Sequence, residues 1–60
     1  MNVTAEEVAK VIKEAKINDS FKEDLIIYVA KARATLNNYD FTQFFEKIKE
    51  KIAEKERTLN

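Results

Sequence analysis

Eleven carboxylates and eleven lysines and arginines carry almost all the titratable chemistry of this chain, which has no cysteine and no histidine. That absence removes a thiolate nucleophile, an imidazole base, a disulfide framework and a Cys/His zinc site together. A metal would have to sit on carboxylates alone. The paired carboxylates, Glu6/Glu7 and Glu23/Asp24, are neighbours in sequence, so on a helix they diverge by about 100° and cannot share a proton or an ion. Both pairs fall in expected first helical turns, where capping and the helix dipole account for them. The chain therefore reads as non-catalytic, with no metal, no cofactor and no small-molecule substrate.

The basic residues are no more suggestive of nucleic acid. Acidic and basic side chains cancel, so no net field steers the chain toward a polyanion. In the middle of the chain Lys31 and Arg33 lie late in their segment, while Glu23 and Asp24 stand at the end that would meet base edges. Phe41, Phe44 and Phe45 cluster, but their neighbours are Thr42, Gln43 and Glu46 rather than the interleaved cations of a base-stacking surface. Core packing is the better reading of these rings. One alternative survives on this axis: Lys47, Lys51 and Lys55 recur at four-residue spacing and could form a ridge for an acidic partner, which would make the chain a small nucleic-acid-associated protein.

The elements that place these residues follow from punctuation. The chain has no glycine and no proline, which disfavours tight hairpins. Asparagine and aspartate are left as turn formers, and they cluster at Asn18-Asp19-Ser20 and Asn37-Asn38-Tyr39-Asp40. Three segments of helical length result. The first, about 5–16, opens with the capping box Thr4-Ala5-Glu6-Glu7, carries Val3 and Val8 as a hydrophobic staple, and shows the stripe Val8, Val11, Ile12, Ala15. The second, about 21–36, starts from a Ser20…Glu23 box and ends at Asn37 or Asn38, either of which tolerates a left-handed C-cap. The third, about 41–57, starts from Asp40 with Tyr39 and Phe44 as a staple. Its stripe is Phe41, Phe45, Ile48, Ile52 and Leu59. One stripe per helix and short connections predict a single all-α domain, a small antiparallel three-helix bundle.

The second segment has more apolar surface than that fold requires. Phe21, Leu25, Tyr28, Val29, Ala32 and Leu36 form its inner stripe, with Tyr28 at the edge, half-buried. Ile26, Ile27, Ala30 and Ala34 fall on the other side, broken only by Glu23 and Arg33. Either the helix turns so that its neighbours cover Ile26 and Ile27, or the surplus is a docking face. The expectation drawn from it is a protein–protein interaction module that docks or self-associates through Ile26, Ile27, Ala30, Arg33 and Ala34, with another protein or a second copy as partner. A further alternative is an excised or engineered helical piece whose middle helix once faced a larger protein.

Two family resemblances run through the same residues. Val11-Ile12-Lys13, then Phe21 to Asp24 and a helix ending at Asn37-Asn38, resemble the helical half of dynein light chains. The strand-forming segments that give that family its peptide groove are missing after Ile52, so no functional residue carries over. Three short helices with Ile17-Asn18-Asp19 before an aromatic are also similar to bacterial albumin-binding modules, from which the longer second helix departs. The longest apolar run, Leu25 to Ala30, is far short of the ~20 residues that span a bilayer. With no secretory leader pattern at Met1 and no cysteine, a soluble, cytoplasmic chain is expected.

Overall fold

A computed structural model describes residues 2–58 as three helices, α1 (Ala5–Glu14), α2 (Asp19–Thr35) and α3 (Asn38–Thr58). The described residues contain no strand. Helix direction can be read from side chains that meet. Arg33 near the end of α2 lies over Phe41 at the start of α3, and Lys55 near the end of α3 lies over Phe21 at the start of α2, so these two helices are antiparallel. Just past the end of α1, the Lys16 amide donates to the Glu56 carboxylate near the end of α3 at 2.8 Å, which sets α1 parallel to α3. The result is the expected up-down-up bundle.

The caps explain why each helix starts where it does, and two differ from the expected ones. At α1 the Thr4 hydroxyl accepts from the Glu7 amide at 3.1 Å, as the box predicts. Glu7 does not reach back to the Thr4 amide; its carboxylate instead faces the Thr4 hydroxyl at 3.3 Å. At α2 the cap is Asn18, whose side-chain oxygen accepts from the Phe21 amide at 2.8 Å, so the helix begins two residues before the Ser20 box would start it. At α3 the cap is Asn37, accepting from the Asp40 amide at 2.8 Å. That places Tyr39 inside the first turn and 72% exposed, rather than in a staple before the helix.

The helix ends also depart from the left-handed C-caps that the asparagines allow. No described residue has positive φ. Ala15 ends α1 and Leu36 ends α2 in extended conformations, with ψ of 150° and 147°. Only two residues, Leu36 and Asn37, separate α2 from α3. Asn37 is committed to capping the next helix, where its side chain satisfies an orphan amide.

The core is wholly apolar among the described residues: Val8, Ile12, Ala15, Ile17, Leu25, Val29, Ala32, Phe41, Ile48 and Ile52. Val8, Ile12 and Phe41 have no exposed surface. Val3, Val11, Phe21, Leu36, Phe44 and Phe45 pack around them. Ile17 is buried although it belongs to no helix; it plugs the bundle from the α1–α2 connection. Leu59, which extends the α3 stripe in the sequence, lies outside the described residues.

The cap assignments make a direct prediction. Asn18→Ala should cost about 1 kcal/mol, lowering Tm by about 4–8 °C for a chain of this size. Ser20→Ala should leave Tm nearly unchanged. Thermal melts followed by circular dichroism check both, and equal losses at the two positions would refute the Asn18 cap.

Candidate protein-docking face

The bundle leaves one side of α2 uncovered. Helical spacing puts Leu25, Val29 and Ala32 together on the opposite side, and all three are buried. Ile26 lies at the edge of that buried side, partly covered and packed against the core. The helix is therefore turned toward Ile26 relative to the expected inner stripe. Tyr28, expected half-buried, is consequently 58% exposed. The turn is not large enough to cover Ile27, which remains 57% exposed.

Around Ile27 the surface is shaped by small and charged side chains. Ala30 and Ala34, both exposed, lie about one and two turns further along the same outer side. Asp24, Leu25, Ile27, Tyr28 and Lys31 line an open depression of about 370 Å³. The Tyr28 ring meets Phe44 of α3 edge-on, with centroids 5.2 Å apart, so the wall of this depression is held from the neighbouring helix. An apolar floor flanked by one acid and one base suits a helix or a loop of another chain. It offers no enclosed volume for a small molecule.

The five residues singled out by the sequence do not share one fate. Ile27, Ala30 and Ala34 form the exposed side. Ile26 is divided between this side and the core. Arg33 is drawn away, its guanidinium 4.4 Å from the Phe41 centroid and its Nη2 donating to the Leu36 carbonyl at 2.9 Å. Tyr28, Asp24 and Lys31 belong to the face instead. Spacing alone points Tyr28 inward, because its position falls within a third of the wheel from Leu25. The signal that moves it outward is the β-branched Ile26 on the opposite edge, which competes for the same core space.

The lysines of α3 share their surface with acids. Lys47 and Lys51 alternate with Glu50 and Glu54 along one shallow surface. Lys55 is engaged with Phe21, its ammonium 5.0 Å from the ring centroid. One ion pair on α3 joins Glu46 and Lys49 at 2.8 Å, with Lys49 also over Phe45 at 4.6 Å. Lys47 and Glu50, three apart and so within reach of each other on the helix, form no such pair among the described residues. Acid and base thus alternate along the α3 surface.

Among the described residues no group of three or more acidic side chains converges as a metal site, and no helix is long and apolar enough to cross a membrane. Compared with protein-family models, with curated proteins and with solved structures, the chain gives no match, and neither of the two family resemblances gains support from them.

Proposed function

We propose that this chain is a small, non-catalytic protein-interaction module that recognises its partner through the outer side of α2. The observation that carries the reading is Ile27, a β-branched side chain 57% exposed on a helix whose opposite side is already buried. A branched apolar side chain in water gains about 1.5–3 kcal/mol when covered. Ala30 and Ala34 beside it keep the surface low, so another backbone can approach closely. Tyr28 adds a second exposed apolar body that keeps its hydroxyl in water, the amphipathic character common at interfaces. Glu23, Asp24 and Lys31 form the polar rim.

A photo-crosslinking amino acid at position 27, compared with one at Lys10 on α1, tests the reading in cells. Position 27 should give discrete protein adducts, of the chain with itself or with another protein, and position 10 should give none. Ile27→Lys should abolish association while leaving the thermal melt within about 0.5 kcal/mol of the parent, the usual range for exposed positions. No adduct from position 27, or adducts equal to those from position 10, would overturn the assignment.

A further inference from the structure

The charges around the exposed α2 surface are arranged so that this face complements itself, and we infer that its partner is a second copy of the chain, docked antiparallel along α2. The inference rests on the docking role of that face and adds the identity and direction of the partner. Asp24 and Lys31 are about two full turns apart, so they project from nearly the same side of α2 about 10 Å apart along its axis. Their midpoint falls between Ile27 and Tyr28, the two large apolar residues exposed on this helix. A twofold axis beside that midpoint, perpendicular to α2, sets each Asp24 against the Lys31 of the other copy, with Ile27 meeting Ile27 on one flank of the contact and Tyr28 meeting Tyr28 on the other. The contact is isologous, as closed dimers require.

Three observations favour this occupant over others. First, Asp24 and Lys31 both line the depression around Ile27, and neither has an ion-pair partner among the described residues. Two charges of opposite sign flanking an apolar centre are then each satisfied once in the dimer. Second, the parallel alternative is penalised, because it sets Asp24 against Asp24 and Lys31 against Lys31. Third, antiparallel pairing opposes the two helix dipoles. The α2 helix, 17 residues and so about 25 Å long, offers one helix face per copy. That is a small interface, and it places the dimer in the micromolar range or weaker.

Sedimentation equilibrium of the full chain from micromolar to millimolar concentration tests the inference with four proteins: the parent, Asp24→Lys, Lys31→Asp and the double exchange. The parent should show a reversible monomer–dimer equilibrium. Each single exchange makes one charge sign face itself twice across the dyad, and should weaken the homodimer about tenfold or more. The double exchange should recover the parent affinity. An equimolar mixture of the two single variants should associate, since the lysines of one variant then face the aspartates of the other at both ends of the contact. Both substituted positions are exposed, and circular dichroism should show unchanged folding. In a parallel dimer the single exchanges would not weaken association relative to the parent, and that result overturns the inference. So does a parent that stays monomeric throughout the range. If such a monomer still yields adducts with another protein from position 27, the docking role stands and only the partner is wrong; if it yields none, both fall.

Discussion

Phe41→Ala is expected to leave the chain largely unfolded at room temperature. Phe41 has no exposed surface and is the largest side chain in the core to be sealed so completely. Its ring stacks on Phe44, with centroids 5.8 Å apart and planes inclined by 26°. The Arg33 guanidinium also lies over this ring, 4.4 Å from its centroid. Truncating a buried phenylalanine costs about 3–5 kcal/mol, through lost burial and the cavity left behind. A single core in a chain of this size rarely supplies more than about 3–5 kcal/mol in all. The loss therefore equals the whole margin, with no disulfide to offset it. Phe41→Leu, which nearly conserves volume, should keep a cooperative urea transition at a cost of about 1.5 kcal/mol or less. An alanine variant with parent-like ellipticity and a cooperative transition would show that the centre of stability lies elsewhere.

The position of Phe41 could be read directly from the sequence, as could most of what repeats with helical period. Val8, Ile12, Leu25, Val29, Ile48 and Ile52 all follow from spacing, and all are buried. What the spacing could not supply was the choice between competing caps. Asn18 and Ser20 are both good N-caps, and the difference between starting α2 at one or the other is smaller than the packing energy that decides it. Ile17 escaped because a connection has no period; its burial depends on where α3 ends, a tertiary fact. The rotation of α2 was hidden for a related reason. With apolar residues around most of its circumference, the helix has no single strongly preferred inward direction, and the shape of α1 and α3 selects one. That choice half-buries Ile26 and exposes Tyr28.

The same ambiguity explains why the docking face was only partly legible. Ile27, Ala30 and Ala34 oppose the core for almost any rotation that buries Leu25 and Val29, so their exposure follows from the sequence. Arg33 is a different case. Its backbone position lies near the edge of the buried side, and a long side chain with a planar head can turn to either neighbour. The end of α2 decides the matter: its terminal carbonyls have no intrahelical donors, and the Phe41 ring lies within reach.

Arg33→Ala should accordingly destabilise the fold by about 2 kcal/mol without weakening association through Ile27. Two losses combine in that figure. The guanidinium over Phe41 at 4.4 Å makes a cation–π contact worth about 0.5–2 kcal/mol depending on how far it is desolvated. Its 2.9 Å bond to the Leu36 carbonyl satisfies an acceptor at the helix end, where positive charge is also favoured by the dipole. Arg33 is only partly exposed, so neither contact is fully screened. Arg33→Lys retains the charge but neither the flat stacking surface nor the fork of donors, and should recover less than half of the loss. Combining Arg33→Ala with Phe41→Leu in a double-mutant cycle should give a coupling of about 0.5–1 kcal/mol, because the leucine has no ring for the cation to cover. Urea titration of the four proteins measures the coupling, and crosslinking at position 27 in the Arg33→Ala background measures association. An additive cycle would remove the ring contact from the account, and a loss of adducts in a folded Arg33→Ala protein would return this arginine to the docking face.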